Sequence, residues 1–403
     1  MLYLVVTAIF LLWLAIPFAL YPLAMAWLAS RKGRQAGHQA PAQLTPAQLT
    51  PAQLTPAQLT SNEWRPLVSV VVAAHNELAV IGARVRNLLD QDWPLDKLEI
   101  LIASDASTDG TDEAVLAIAS PAVRLVRSEP RAGKTTAVQK AVAVARGDVL
   151  LFSDASTRWE PQCIRQLVQA IGDPGVGCVS GRVLYERRGG GVASGFLLWQ
   201  KIAVSLRRAE GQSGGLISVS GCIHGLRREL WKNLPLDIDP DLVLPAIAAS
   251  AGLNTLYVAD AIAWELPRES VLVEFRARRR IAARAIHSGV WATQLALRAG
   301  SWAYLARLTA HKWLRWTAWL ASVGLVAVAA LGSDASLLLQ WLLYAQVGFY
   351  ALAAAGLVAA AAKARVGPLA APAYWLLANL ALLLGTLDVL RKDHAPVWQT
   401  TEG

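Results

Sequence analysis

Long apolar stretches without charged residues lie at both ends of the chain. The first runs from Leu2 to Leu28, and three more follow in the C-terminal third: Trp316 to Leu331, Leu337 to Ala362 and Ala370 to Leu387. A helix rises about 1.5 Å per residue, so runs of this length suit a hydrocarbon core roughly 30 Å thick. The pattern predicts about four transmembrane helices. The alternatives are a cleaved signal peptide for the first run, although no Lys or Arg precedes it, and buried core helices for the others.

Basic residues at the ends of these runs indicate the orientation in the membrane. Arg31 and Arg34 follow the first run, and Lys312 and Arg315 precede the second. Because positive residues favour the cytoplasmic side, the middle of the chain is expected in the cytosol, as part of a multi-pass protein of the plasma (inner) membrane. Arg391 follows the last run, where three C-terminal crossings would place it outside. The side of the tail therefore stays open.

Composition agrees with a membrane protein and narrows its partners. Hydrophobic residues make up 55% of the chain, and the formal net charge is +9. Because the basic clusters flank the apolar runs, we interpret this charge as attraction to membrane lipid and expect no nucleic-acid partner. The three cysteines, Cys163, Cys178 and Cys222, lack Cys-x-x-Cys spacing, so neither a disulfide framework nor a zinc site is predicted.

A repeat separates the first apolar run from the middle of the chain. Between positions 41 and 60 the pentapeptide Pro-Ala-Gln-Leu-Thr occurs four times in tandem. A proline every fifth residue prevents a continuous helix, so this segment is predicted to be an extended spacer.

From Pro66 onward, short apolar runs alternate with helical patterns. Strands are predicted at 67–74, 98–103, 123–126 and 148–153, and helices at 77–90 and 135–145. Alternation of this kind predicts an open, mostly parallel sheet, which binds ligands at the carboxyl ends of its strands.

Acidic residues stand at two of these strand ends. Asp105 ends the second strand and Asp154 ends the fourth. Together they suit a nucleotide diphosphate with a divalent cation, although capping of the following helices is the alternative role for each. The nearby Gly133-Lys134-Thr135 resembles part of a P-loop. Ser128 stands where that motif needs glycine, which disfavours a nucleotide hydrolase.

The order of the motifs resembles the inverting family 2 glycosyltransferases with a GT-A fold, over roughly residues 66–290. The segments that carry the resemblance are Val70 to Glu77, Ser104 to Thr111, Gly133-Lys134, Phe152 to Thr157, Val179 to Gly181, Ser220 to Arg228 and Asp239 to Pro245. The flanking apolar runs fit the membrane-bound branch of that family. The expected fold is thus an α/β GT-A domain, Rossmann-like with a mostly parallel sheet, plus about four transmembrane helices.

The resemblance implies a role for each matching residue. Asp241 would be the general base, with a surface acid as the alternative interpretation, and Asp154 would face the diphosphate and its Mg²⁺ or Mn²⁺. Ser220, Gly221 and Cys222 would lie near the acceptor. The residues implied in nucleotide-sugar binding are Ala74, His75, Asn76, Glu77, Asp105, Lys134, Asp154 and Arg280.

Some positions depart from the family pattern. The metal motif Asp-x-Asp is Asp154-Ala155-Ser156 here, and the Gln-x-x-Arg-Trp motif of processive synthases keeps only Arg280. Loss of that motif disfavours long-chain processive synthesis. Further arginines in the same stretch, Arg276 and Arg284, are expected at lipid headgroups, with contact to the leaving group as the alternative. No metal role is assigned to His224 or His287.

The sequence thus predicts a hexosyl- or N-acetylhexosaminyltransferase that uses a UDP-sugar and a glycan or lipid-linked acceptor. The alternative is a non-catalytic scaffold that assembles with polysaccharide export subunits. The expected layout is an anchor (1–30), a linker (31–65), the GT-A domain (66–290), interfacial helices (291–315), three transmembrane helices (316–390) and a tail (391–403).

Overall fold

The computed structural model describes residues 1–37, 64–185, 193–236, 238–265, 271–362, 364 and 366–391. The repeats at 41–60 and residues 392–403 lie outside this part of the chain, and the predictions made for them stay predictions.

Eight strands form one sheet in the described part of the chain. They are β1 (Val68–Ala74), β2 (Leu98–Asp105), β3 (Val123–Ser128), β4 (Val149–Asp154), β5 (Arg158–Trp159), β6 (Val176–Tyr185), β7 (His224–Arg227) and β8 (Asn254–Glu265). The spatial order is β3-β2-β1-β4-β7-β6-β8-β5. The first four strands run parallel, and β7 pairs antiparallel with both β4 and β6. The four strands predicted from the apolar runs are confirmed.

Helices flank this sheet and extend beyond it. In the sheet region they are α3 (Leu78–Leu89), α4 (Thr111–Leu116), α5 (Lys134–Ala143), α6 (Cys163–Ile171) and α8 (Pro240–Ser250). The remaining helices are α1 (Leu2–Ala15), α2 (Tyr21–Gly37), α7 (Ala193–Ser213), α9 (Val271–Arg298), α10 (Trp302–Leu308), α11 (Ala318–Gly332), α12 (Leu337–Ala361) and α13 (Ala370–Arg391).

The central strands are buried on both faces, which explains their unbroken apolar sequences. On β1, Val70 and Val72 pack with α3 and α6, while Val71 and Ala73 pack with α5 and α8 on the opposite face. Alternate side chains of a strand point to opposite faces, so both layers of helix need apolar partners from the same short run. The sheet is therefore the middle layer of a three-layer α/β domain.

Within the ranges that the structure describes, four helical segments are long and apolar enough to cross a membrane. They cover Leu2–Arg31, which joins α1 and α2 through a wide turn at Ile16–Leu20, and then Ala318–Ala335, Leu337–Ala361 and Gly367–Arg391. Small residues permit close approach between them, as is common for membrane helices. At Gly324 of α11, for example, an added Cβ would lie 2.4 Å from the ring of Phe10 in α1.

One boundary of the expected layout falls inside a continuous helix. Helix α9 runs without a break from Val271 to Arg298, so residues 271–298 form one rigid element across position 290. It packs on α8 of the sheet domain through Ala292 and Ala296. The helix thus connects the sheet domain directly to the apolar helices.

Candidate active site

The carboxyl ends of β1, β2 and β4 meet at one edge of the sheet. Ala74 of β1 pairs with Ser104 of β2, and Ala73 pairs with Asp154 of β4, so the residues that follow these strands converge. Beside this edge lies a cavity of about 310 Å³, which we call the sheet-edge cavity. The polar and charged side chains that line it are Glu77, Lys134, Thr135, Ser153, Asp154, Ser156, His224, Asp239, Asp241, Arg280 and Arg284.

Lys134 and Asp154 form an ion pair inside the sheet-edge cavity. The Lys134 ammonium donates to Oδ1 of Asp154 at 2.5 Å, and about a third of each side chain (34%) remains exposed. Burial alone would raise the pKa of Asp154, but the Lys134 charge outweighs it and holds this pKa below its usual value. Asp154 is therefore ionised at neutral pH and available to a cation, while the Lys134 ammonium lies within reach of a bound anion.

Asp241 occupies the first turn of α8, directly after Pro240. Burial, reinforced by repulsion from Asp239, raises the pKa of Asp241 well above its usual value. Gly221 makes room for its carboxylate, because a Cβ at Gly221 would lie 2.7 Å from Oδ2 of Asp241. A carboxylate with a raised pKa beside a cavity is suited to accept a proton near neutral pH.

His224 is a neutral polar residue that also lines the sheet-edge cavity. Its ring stacks on Phe152, with centroids 4.9 Å apart, and its Nδ1 donates to the carbonyl of Ser220 at 2.9 Å. Burial lowers the pKa of His224 to about 4, so the ring is neutral at physiological pH. Within the described residues its buried Nε2 has no hydrogen-bond partner.

Several of the residues predicted for nucleotide binding build the loops around the cavity. Asp105 is fully buried, and its carboxylate accepts from the amides of Ala132 and Gly133 at 2.8–3.1 Å. Asn76 has a positive φ of 54°, and its Oδ1 accepts from the amide of Thr108. The His75 ring bonds to the Asp105 carbonyl at 2.7 Å. These contacts tie the segments after β1 and β2 to the start of α5.

The structure brings only some of the predicted site residues to the sheet-edge cavity. Glu77, Lys134, Asp154, Gly221, Asp241 and Arg280 line it. In contrast, Ala74 and Cys222 are buried in the hydrophobic core, and the Ser220 hydroxyl accepts from Arg207 at 2.5 Å. The binding and catalytic roles of these residues stay predictions.

The expectation that Arg284 lies at lipid headgroups is wrong. Its guanidinium donates to the hydroxyl of Thr135 and to the carbonyl of Ile238, both at 3.1 Å, and it lines the sheet-edge cavity. Arg276, in contrast, is exposed. The two arginines lie eight residues apart on α9, where side-chain direction changes by about 100° per residue, so they point in different directions. The charge pattern alone does not show which of these directions faces the sheet domain.

A second cavity, of about 430 Å³, adjoins the first and is called here the helix-lined cavity. Both cavities are lined by Asp239, Asp241 and Ile281. The second is enclosed by α7, α9, the segment before α11, and α13; its charged residues are Arg207, Asp239, Asp241, Arg278, Lys312 and Arg315. The carboxylate of Asp241 thus lies at the junction of two separate binding spaces.

Sequence reasoning missed the residues that distant elements contribute to this junction. Arg207 comes from α7, 34 positions before Asp241, and no motif marks it. Lys312 and Arg315 were interpreted only as charges that flank a membrane helix. Asp239, in contrast, could be found from the sequence, because it stands two residues before Asp241 in a matched motif.

Comparison with known proteins agrees with this geometry. Residues 69–234 match the family model described as Glycosyl transferase family 2. The "Probable glycosyltransferase YdaM" of Bacillus subtilis is 26% identical over 231 residues, which cover 54% of each chain. The "Beta-monoglucosyldiacylglycerol synthase" of Synechocystis is 34% identical over 121 residues, which cover 29% of this chain and 25% of the relative. The chain therefore spans about half, or less, of the length of these curated relatives.

A solved structure matches almost the whole chain. It is the mannosyltransferase PcManGT from Pyrobaculum calidifontis, in complex with GDP-Man and Mn²⁺, and it shares 23% sequence identity. The TM-score is 0.68, and the match covers 96% of this chain and 99% of the other. This likeness shows the fold, a GT-A sheet followed by a helical C-terminal region.

Residues 69–234 therefore match the family 2 glycosyltransferases in sequence, and the chain has the GT-A fold. The family resemblance and the fold class predicted from the motifs are confirmed.

We expect Gly221→Ala to reduce sugar transfer at least tenfold, because the new Cβ must displace the Asp241 carboxylate by several tenths of an ångström or more. The measurement is nucleotide release from a sugar donor, together with the melting temperature in detergent. Gly82→Ala on α3 is the matched control, since its Cβ would meet only the end of Arg86, at 3.7 Å. Equal activity of the two variants would show that Asp241 tolerates displacement.

Proposed function

We propose that the chain transfers a sugar from a nucleoside-diphosphate sugar to an acceptor held at the membrane surface, with inversion at the anomeric carbon. The observation that carries this proposal is the position of Asp241 between the two cavities. The sheet-edge cavity would hold the donor, and the helix-lined cavity would hold the acceptor.

In the proposed reaction Asp241 accepts the proton of an acceptor hydroxyl. The hydroxyl oxygen attacks the anomeric carbon, and the bond from that carbon to the β-phosphate oxygen breaks. The electron pair leaves with the nucleoside diphosphate. The raised pKa of Asp241 supports its role as the base, because proton transfer is most effective when the pKa of the base lies near the operating pH.

The charges of the sheet-edge cavity suit a diphosphate leaving group. Lys134 and Arg280 would contact its oxygens, and Asp154 would face a divalent cation on it. The remaining site residues, Glu77 and the loops that Asp105 holds in place, would surround the nucleoside. The sequence predicts a UDP-sugar as the donor, whereas the Pyrobaculum protein is in complex with GDP-Man. Experiment must therefore identify the nucleobase of the donor.

The residues present fit a divalent cation bound jointly by protein and substrate. Among the described residues no three His, Cys, Asp or Glu side chains form a complete metal site. Asp154 nevertheless lines the sheet-edge cavity, and Mg²⁺ is commonly held by one or two carboxylates plus substrate phosphates. When bound, Mg²⁺ or Mn²⁺ would stabilise the negative charge of the departing diphosphate. The Mn²⁺ of the Pyrobaculum complex supports this assignment.

The first test is a panel of UDP- and GDP-sugars with Mn²⁺ or Mg²⁺ and bacterial lipid extract, with the full chain in detergent. Wild-type protein should release nucleoside diphosphate from one donor, and Asp241→Asn should lower that rate by about 100-fold or more. Asp260→Asn removes an exposed carboxylate from β8 and should leave the rate unchanged.

A donor that binds but is not turned over by wild-type protein with any lipid extract would contradict the proposal. That result would favour a non-catalytic scaffold in a polysaccharide export assembly.

The proposed location is a bacterial plasma membrane, with the enzyme domain in the cytosol. The four long apolar helical segments and the basic residues beside them support it. We propose further that α13 lies along the membrane surface instead of crossing it. Arg278 stacks over Tyr374 at 4.7 Å, and its neighbour Arg279 pairs with Asp388 at 2.5 Å. If α13 crossed the membrane, Tyr374 and Asp388 would lie about 21 Å apart in depth, since a helix rises about 1.5 Å per residue. The two charged arginines that contact them are adjacent on α9, and one of them would then have to reach into the apolar interior.

Cysteine labelling tests this placement, because the three native cysteines are buried. Leu390→Cys near the end of α13, Asp334→Cys after α11 and Asp96→Cys on the enzyme domain all introduce an exposed thiol. A membrane-impermeant maleimide should label Leu390→Cys from the same side as Asp96→Cys, and Asp334→Cys from the other. Labelling of Leu390→Cys together with Asp334→Cys would mean that α13 crosses.

A further inference from the structure

The helix-lined cavity carries a cluster of positive side chains. Arg207, Arg278, Lys312 and Arg315 line it, from α7, α9 and the segment before α11. Arg278 is paired with Glu274 at 2.6 Å. Within the described part of the chain, however, neither Arg207 nor Lys312 has a carboxylate within 4 Å; Arg207 bonds to the neutral Ser220 hydroxyl.

Arg207 and Lys312, the two cations described above as having no carboxylate within 4 Å, favour an anionic ligand in this cavity. Like charges repel, and their separation from water is costly unless an opposite charge offsets it. The acidic residues that line the cavity are Asp239 and Asp241; outside the lining, Glu274 pairs with Arg278, and the charge of Glu210 acts on Lys312. A phosphate group, with its charge and several acceptor oxygens, suits arginine and lysine donors from different directions.

Apolar and aromatic side chains form another part of the lining of this cavity, called here the aromatic wall. It includes Phe18 from the first apolar segment and Trp375, Ala378 and Leu382 from α13. The rings of Phe18 and Trp375 meet edge to face, with centroids 4.8 Å apart. Two of the four segments long enough to cross a membrane therefore border the cavity, and their side chains suit an acyl or isoprenoid chain.

The polar end of such a ligand would lie next to Asp241. The helix-lined cavity shares Asp239, Asp241 and Ile281 with the sheet-edge cavity, so a group bound by Arg207 and Lys312 lies in the same space as the Asp241 carboxylate. Arg207 and Asp241 both line this cavity, and the charge of Arg207 lowers the pKa of Asp241. The charged, apolar and reactive surfaces are thus adjacent.

We infer that the acceptor is a phosphate-bearing lipid, whose phosphate binds Arg207 and Lys312, whose chains lie along the aromatic wall, and whose headgroup hydroxyl reaches Asp241. This inference rests on the proposed function, in which that hydroxyl attacks the anomeric carbon. It excludes a neutral lipid and a soluble phosphate as equally good acceptors.

Lipid binding tests the inference independently of turnover. Fluorescent phosphatidylglycerol and fluorescent diacylglycerol with the same chains are titrated against the full chain in neutral detergent. Phosphatidylglycerol should bind roughly tenfold more tightly, and the double variant R207Q/K312Q should remove that preference. The control R298Q/K140Q deletes two exposed cations, one of α9 and one of α5, and should retain it. Equal binding of the two lipids, or equal loss of preference in both double variants, would overturn the inference.

Transfer assays with the active donor distinguish the sources of the acceptor hydroxyl. Phosphatidylglycerol should be glycosylated faster than diacylglycerol, which lacks the phosphate, and faster than glycerol 3-phosphate, which lacks the chains. Diacylglycerol glycosylated by wild-type protein as fast as phosphatidylglycerol would overturn the role of the phosphate. Glycerol 3-phosphate glycosylated as fast as phosphatidylglycerol would overturn the role of the lipid chains. Either result leaves the proposed function standing. Donor that is never turned over, with selective lipid binding intact, would instead contradict the proposed function alone.

Discussion

The structure depends most on one half-buried carboxylate, that of Asp241, placed where two cavities meet. Burial and the neighbouring Asp239 raise its pKa, and the missing side chain of Gly221 gives its oxygens room. One cavity opens at the polar ends of parallel strands, and the other is bordered by apolar helices. In the proposed function, a water-soluble donor and a membrane-bound acceptor would approach this carboxylate from separate environments. This arrangement requires the sheet domain and the apolar helices to keep a fixed position relative to each other.

A buried polar cluster maintains that relation. Glu210 of α7, exposed by only 1%, accepts from the Tyr21 hydroxyl at 2.7 Å and contacts the His311 ring at 2.7 Å. Three elements are joined at this point: α2, which begins within the first apolar run; α7, which lines the helix-lined cavity; and the wide turn that carries Lys312. An unpaired buried carboxylate is costly, so the contacts of Glu210 with Tyr21 and His311 favour the packing that keeps all three side chains together. The cluster thereby positions the cations of the cavity without contact with a ligand.

The sequence predicted local elements and linear motifs well, and distant contributions poorly. Apolar runs placed the four parallel strands, and strand-end acids such as Asp154 follow from the topology of a parallel sheet. The buried position of Asp105 was not predictable, since its partners lie in a loop 27 and 28 residues later. The contribution of Arg207 to the junction was missed for the same reason. Its residue type fits any exposed helix, and only the tertiary packing of α7 brings it beside Asp241.

The pH dependence of kcat/KM for sugar transfer tests the role of Asp241 most directly. A base is active only when deprotonated, so activity should fall as the pH drops through the raised pKa of Asp241. Asp239→Asn removes a negative charge that raises this pKa, and it should move the acidic limb of the profile to lower pH, whereas Asp260→Asn should not. An acidic limb that stays in place in Asp239→Asn would contradict the assignment of Asp241 as the base.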